Sequence, residues 1–200
     1  MFIHNKEKKI YIFRHGETDW NINERISGQL ENAPISFTQT GIAQIIYLRK
    51  LFKIENIEVI FSSDLKRARD TANSINEVLN VPISFHKELR SLDMGIYQGM
   101  LYSDFINKSE VAEIFVDYDK CIKNGESINQ LINRTKQFVH NIALNCTQNH
   151  IAIITHGAVV GNLYADISNN SFIEIDKCIL NYNNGIFDLV DIGYYCSFVV

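Results

Sequence analysis

The 200-residue chain carries 19 Lys and Arg against 23 Asp and Glu, a net charge of −4, with 46% hydrophobic and 21% charged residues. This is the composition of an ordinary soluble chain able to bury one sizeable core, and an acidic balance without a long basic run argues against a nucleic-acid-binding surface. No apolar run approaches the ~20 residues of a membrane helix, and the N-terminus lacks the charged-then-apolar layout of a secretory signal.

The expectation is a cytoplasmic protein with no membrane partner, forming one domain over residues 1–200. Nothing in the sequence sets its oligomeric state. Cys121, Cys146, Cys178 and Cys196 follow no regular spacing, so reduced and mostly buried thiols are expected.

In chain order, Lys6 to Lys9 reads as a solvated tail, and Ile10-Tyr11-Ile12-Phe13 as a strand that stops at Arg14. Thr38 to Phe52 has helical spacing, with Thr38 as N-cap and Ile42, Ile45 and Ile46 on one face. Val59-Ile60-Phe61 is a second short strand, Asp64 to Leu79 a helix with Pro82 just beyond it, and Ile83 to Phe85 a further short strand. Residues from about 92 to 124 read as short helices and loops, an insertion covering one end of the sheet. Ser127 to Leu144 is helical, with Ser127 and Gln130 as a capping box. Ile151-Ala152-Ile153-Ile154 is another buried strand, and the tail alternates strands with turn signals at Asn183-Asn184-Gly185 and Asp191-Ile192-Gly193. The alternation predicts an α/β fold: a three-layer sandwich with a central, mostly parallel sheet flanked by helices.

Three of these strands end in chemistry. Ile10–Phe13 leads into Arg14-His15-Gly16, Val59–Phe61 into Ser62-Ser63-Asp64-Leu65-Lys66-Arg67, and Ile151–Ile154 into Thr155-His156-Gly157. Ligands of open α/β sheets sit outside the carboxyl ends of the strands, so parallel neighbours would bring two histidines and two arginines into one pocket. That set suits a phosphoryl group. Arginine offers a planar donor fork to its oxygens, a neutral imidazole can attack phosphorus, and glycines after each histidine would let backbone N–H groups approach. Taken singly, each feature is weak. A lone His after a strand is more often a core or capping residue, and Arg67 alone reads as a surface charge. His4, His86, His140 and His150 read as surface or edge residues, and no spacing supports a zinc site.

On these residues the chain resembles the histidine phosphatase superfamily, the phosphoglycerate-mutase-like group, over nearly its whole length. Arg14-His15-Gly16-Glu17-Thr18-Asp19-Trp20-Asn21 is similar to that family's opening motif, and Arg25-Ile26-Ser27-Gly28 with Asn32-Ala33-Pro34-Ile35 to its substrate-side loop. Ser62 to Ala68, Gly125-Glu126-Ser127 and Thr155-His156-Gly157 resemble later motifs in the same order. The resemblance implies that His15 becomes phosphorylated and that Arg14, Arg67 and His156 hold the phosphoryl oxygens. Asn21 and the Gly157 backbone would assist, and Ser27 and Gly28 would contact the substrate beyond its phosphate. It implies a small phosphorylated metabolite as substrate, and no metal or organic cofactor.

One departure matters. Where the family commonly has its general-acid Glu, four residues before a Gly, this chain has Ser91 in Leu89-Arg90-Ser91-Leu92-Asp93-Met94-Gly95. A hydroxyl is not a useful acid near neutral pH, and general acid catalysis contributes typically ~10²–10⁴-fold. Asp93 could swing in as a substitute, or simply be a solvated or capping carboxylate. The substrate could instead have a leaving group needing little protonation, such as an acyl phosphate or phosphohistidine. The acid-phosphatase branch places an Asp after the second His, a solution excluded by Gly157-Ala158. The expected function is a phosphomonoester phosphatase working through phospho-His15. The alternatives are a non-catalytic or weakly active phospholigand-binding protein, and a cofactor-dependent phosphoglycerate mutase. Ser91 and the short chain count against the mutase. Tyr97, Tyr102, Phe105 and Phe115 in the insertion read as packing.

Overall fold

The computed structural model describes residues 8–169, 177–183 and 186–193. Strand β1 (Lys8–Arg14) sends Ile10 and Ile12 to one side of the sheet and Tyr11 and Phe13 to the other, all fully buried. Side chains alternate across a strand, so an unbroken apolar run belongs to a strand covered on both faces. The strand begins at Lys8, earlier than its apolar run, and Lys8 and Lys9 are partly buried in it instead of forming a solvated tail. β2 (Val59–Ser63), β3 (Ile83–His86), β4 (His150–Thr155), β5 (Lys177–Asn183) and β6 (Ile186–Gly193) complete a six-stranded sheet of order β3-β2-β4-β1-β5-β6. β3, β2, β4 and β1 pair in parallel, whereas β5 and β6 run antiparallel.

The helices among the described residues are α1 (Asp19–Ile22), α2 (Gln39–Ile54), α3 (Lys66–Leu79), α4 (Tyr102–Ile106), α5 (Ser109–Val116), α6 (Ile128–Asn145) and α7 (Gly157–Ser168). One face of the sheet packs Tyr11, Phe13, Ala152 and Ile154 against Leu48 and Phe52 of α2 and Ala72 and Ile75 of α3. The opposite face packs Ile10, Ile12, Ile151 and Ile153 against Leu131 and Val139 of α6 and Val159 and Leu163 of α7. This is the three-layer α/β sandwich that the alternation of strands and helices predicts. Thr38 caps α2 by accepting from the Gly41 N–H at 2.9 Å, and Ser127 with Gln130 forms the capping box of α6.

Some local expectations are corrected. The buried stripe of α2 is Gly41, Ile45, Leu48 and Phe52, while Ile42 and Ile46 are 44% and 46% exposed. The rotation is set by Gly41, where a Cβ would lie 2.1 Å from the Glu17 carbonyl oxygen, so only glycine lets the helix meet the loop after β1. α3 starts at Lys66, and Asp64 stands outside it with both carboxylate oxygens on Arg90. Asp191-Ile192-Gly193 is paired with β5 inside β6 and makes no turn, because ladder pairing satisfies its backbone. The signal at Asn183-Asn184-Gly185 runs into residues outside those described. Cys178 is buried, Cys146 half-buried and Cys121 exposed, so the expectation of mostly buried thiols fails at Cys121. Cys196 also lies outside the described residues. Among the described residues no helix is long and apolar enough to cross a membrane.

Residues 92–124 carry a 3-10 turn (Gly95–Tyr97), α4 and α5. They enclose a small core of their own, in which Tyr97, Phe105, Val111, Ile114 and Ile122 are buried with Ile128 of α6.

Candidate active site

β4 lies between β1 and β2, so the three chemistry-bearing strand ends are adjacent. Arg14 is in register with Thr155, and the His15 N–H donates to the Thr155 carbonyl at 2.8 Å. The next residue on each chain is therefore a histidine facing the other. The His15 and His156 rings lie 5.2 Å apart at 63°, 3% and 2% exposed. Arg67 arrives from the first turn of α3 and is 6% exposed.

A hydrogen bond sets the tautomer of His15. His15 Nδ1 is 2.8 Å from the Gly16 carbonyl oxygen, which can only accept, so Nδ1 carries the proton. His15 Nε2 then presents its lone pair, and Arg67 Nε–H donates to it at 3.1 Å. Burial, followed by the positive charges of Arg67 and Arg14, holds the His15 pKa well below the ordinary imidazole value. His15 is thus a neutral imidazole at neutral pH. His156 is held down likewise, by burial first and then by Arg67. Its Nε2 lies 2.9 Å from Ser63 Oγ, which also accepts from the Leu65 N–H. The buried His156 Nδ1 has no partner among the described residues. Buried polar atoms are almost always satisfied, so an orphan at the strand ends marks a place for a ligand atom.

Arg67 is itself held by the backbone. Its Nη2 donates to the Gly28 carbonyl at 2.7 Å, and burial lowers its pKa to about 10, leaving it charged at neutral pH. Gly28 takes φ +47°, and a Cβ there would lie 2.6 Å from Gln98 Oε1. These residues line an inner chamber of about 180 Å³, with walls from Arg14, His15, Asn21, Ser27, Arg67, Ser91, His156, Gly157 and Ala158. Asn21 Oδ1 is occupied by the Thr18 N–H and hydroxyl, which leaves its amide nitrogen for the chamber. Gly157 and Ala158 open helix α7, whose first N–H groups have no intrahelical partner and whose dipole favours an anion. Gly16 is required for a different reason from the one expected. A Cβ there would lie 2.9 Å from the Gly41 carbonyl oxygen, so it serves packing against α2.

The chamber opens into a vestibule of about 580 Å³ that shares Arg14, Asn21, Ser27, Ser91 and Ala158 and adds residues of the 92–124 segment. Ser91 lines both. The strand-like segment carrying it is pinned by Arg134, which donates to the carbonyls of Glu88, Arg90 and Ser91 and forms a two-nitrogen pair with Glu126. Asp93 lines neither cavity. Its carboxylate accepts from the Gly95 N–H at 3.0 Å, and its own N–H donates to Glu126. The structure thus brings together Arg14, His15, Asn21, Ser27, Arg67, His156 and Gly157, puts Gly28 on the vestibule wall, and leaves Asp93 outside, with its carboxylate on the Gly95 N–H.

A profile of the histidine phosphatase superfamily (branch 1) matches residues 10–191. The chain belongs to the histidine phosphatase superfamily. It is 31% identical over 180 residues to a metal-independent phosphoserine phosphatase of Arabidopsis thaliana, covering 84% of this chain and 72% of that protein. It is 29% identical over 162 residues to a probable phosphoglycerate mutase of Proteus mirabilis, covering 80% and 74%. Its fold matches the α-ribazole phosphatase of Shigella flexneri with a TM-score of 0.80, at 22% identity over 94% of this chain and 96% of that one.

As a histidine phosphatase superfamily member, the chain holds its site with residues that motif reading passed over. Ser63 Oγ holds His156 Nε2 at 2.9 Å, Thr71 accepts from the Gly16 N–H at 3.1 Å, and Arg134 fixes the Ser91 segment. Ser63 stands inside a quoted motif and was legible as a strand-end hydroxyl. Arg134, eight residues past Glu126 on α6, gave no local signal because its partners come from elsewhere in the chain.

Proposed function

We propose that the protein is a phosphomonoester phosphatase acting on a small phosphorylated substrate through phosphorylation of His15 Nε2. The carrying observation is the fixed, neutral tautomer of His15, whose Nε2 lone pair is held 3.1 Å from Arg67 Nε in a cationic chamber of phosphoryl size. On this reading Arg67 Nε–H turns from His15 Nε2 to a phosphoryl oxygen as substrate binds, the freed Nε2 lone pair attacks phosphorus, and the N–P bond forms as the bond to the leaving oxygen breaks. Arg14 and Arg67 neutralise the equatorial oxygens, with His156 Nδ1, the Asn21 amide and the Gly157 end of α7 donating to them. Ser27 and Gly28 contact the substrate next to its phosphate. Water then attacks phosphorus, the N–P bond breaks, and phosphate leaves. The reading invokes no metal or organic cofactor, and on it residues from about 92 to 124 serve as an insertion of the one domain, covering the pocket.

A non-catalytic phospholigand-binding role is the second reading, favoured by one observation: the inner chamber is lined by no carboxylate among the described residues, and Ser91 stands at the acid position. Trapping decides between them. Brief exposure to a ³²P-labelled aryl phosphate should yield an acid-labile, base-stable phosphoprotein, lost in His15→Ala. No phosphoprotein and no turnover on aryl and acyl phosphates would leave only the binding role.

A further inference from the structure

The chemistry of the leaving group can be read from the vestibule, on the basis of the proposed phosphatase reading. Two independent features converge there. The first is the absence of an acid from the inner chamber. Ser91 lines both cavities, Asp93 is engaged at the Gly95 turn, and among the described residues the chamber wall carries no carboxylate; the vestibule carries one, Glu24, which is exposed and does not line the chamber. The second is the character of the outer wall. Of the five rings in residues 92–124, Tyr97 and Phe105 are 3% and 1% exposed and Tyr118 is half-buried, but Tyr102 and Phe115 are 50% and 51% exposed. Tyr102, Phe105 and Phe115 all line the vestibule, together with Leu92 and Met94.

The rings form a connected set. Phe105 sits at its centre, 5.2 Å from Tyr97, 6.1 Å from Tyr102 and 6.3 Å from Phe115 between centroids, with tilted or edge-on geometry. The core residues hold this set in place while Tyr102 and Phe115 present uncovered faces. Exposed aromatic rings beside a polar chamber are costly unless something covers them. A cavity of about 150 Å³ takes a benzene molecule, so a vestibule of about 580 Å³ takes an aromatic ring with substituents.

We propose that the substrate is the phosphate ester of a phenol-type aromatic ring, with the ring in the vestibule against Tyr102, Phe105 and Phe115. The two features then explain each other. A phenol has a pKa near 10, whereas an aliphatic alcohol is a far weaker acid, comparable to water. A phenolate therefore departs with the electron pair of the P–O bond as His15 Nε2 bonds to phosphorus, without a proton from the protein. It takes its proton from solvent afterwards. The water that later cleaves the N–P bond supplies the fourth phosphate oxygen and releases a proton.

Binding and turnover test this separately. By calorimetry, phenylphosphonate should bind about tenfold more tightly than methylphosphonate. Phe115→Ala should reduce that preference about three- to tenfold, while Phe115→Tyr, which keeps the ring, should retain it. Val116→Ala, at an 87% exposed neighbour off the vestibule, is the control and should leave the preference intact. In turnover, kcat/KM for phenyl phosphate and O-phosphotyrosine should exceed that for alkyl phosphates by at least about 100-fold. A phosphotyrosine peptide in the same panel separates a protein-borne ring from a free one. Equal affinity for the two phosphonates, or alkyl phosphates turned over as fast as aryl ones, would overturn the aromatic assignment while leaving the phosphatase reading standing. A clear phosphonate preference without any phosphoprotein would do the reverse.

Discussion

Arg67 Nε donates to His15 Nε2 at 3.1 Å, the ring nitrogen left unprotonated because Nδ1–H donates to the Gly16 carbonyl. One guanidinium therefore does two things. It keeps the imidazole unprotonated, and it stands where the charge of an incoming phosphoryl group would lie. Replacing Arg67 with Ala should lower kcat about 10²–10³-fold on an aryl phosphate, the usual cost of losing one preorganised donor. Arg67→Lys should recover little, because a point charge cannot reach both His15 and the Gly28 carbonyl. Full recovery by Lys in steady-state assays would show that only the charge matters.

The side chain at position 91 tests the missing acid by addition. Ser91 lines both cavities, so Ser91→Glu places a carboxyl group at the boundary between phosphate and leaving group. Rates on alkyl phosphates should rise at least about tenfold, toward the lower part of the range for general acid catalysis, with less than about threefold change on aryl phosphates. A uniform change across leaving groups would argue that the added carboxyl does not donate a proton.

Asp93 should behave as a capping residue. Its carboxylate holds the Gly95 N–H, and Asn can accept the same hydrogen bond. Asp93→Asn should therefore leave the ratio of alkyl to aryl turnover unchanged and cost about 1 kcal/mol of stability or less. A selective loss on alkyl phosphates would instead assign the proton to Asp93.

Arg134 and Glu126 pair with side chains only 21% and 15% exposed, and Arg134 also satisfies three backbone carbonyls of the Ser91 segment. Arg134→Met should strand those acceptors and the Glu126 charge, destabilising the fold by about 2–4 kcal/mol. For a chain of this size that is a fall in Tm of roughly 5–12 °C. A thermal melt unchanged within 2 °C (about 1 kcal/mol or less) would remove the pinning role.

Acid should destabilise the protein before its carboxylates titrate. His15 and His156 are both held well below the ordinary imidazole pKa of 6.5 when folded, by burial first. Below pH 6.5 the unfolded chain binds protons that the native state does not, so unfolding is favoured as pH falls. The slope is about 1.4 kcal/mol per pH unit for each fully protonated unfolded histidine. Urea midpoints should decline between pH 7 and 5, and the double replacement of His15 and His156 by Gln should flatten that decline.

The sequence by itself determined the strands that carry the site. Unbroken apolar runs at Ile10–Phe13 and Ile151–Ile154 can be satisfied only by burial on both faces; the first stops at Arg14, one residue before His15, and the second at Thr155, one residue before His156. Local rules also placed the caps at Thr38 and Ser127, because a cap is made within four residues. What lay beyond local rules was decided by contacts between distant residues. The insertion of β4 between β1 and β2 set His15 against His156, since strand order follows from packing of helices on both faces and not from any one strand's pattern. The rotation of α2 was decided by Gly41 against Glu17, and the pinning of Ser91 by Arg134, 43 residues away. Tyr97 and Phe105 could not be told from Tyr102 and Phe115 by residue type, because burial belongs to the assembled core and not to the ring.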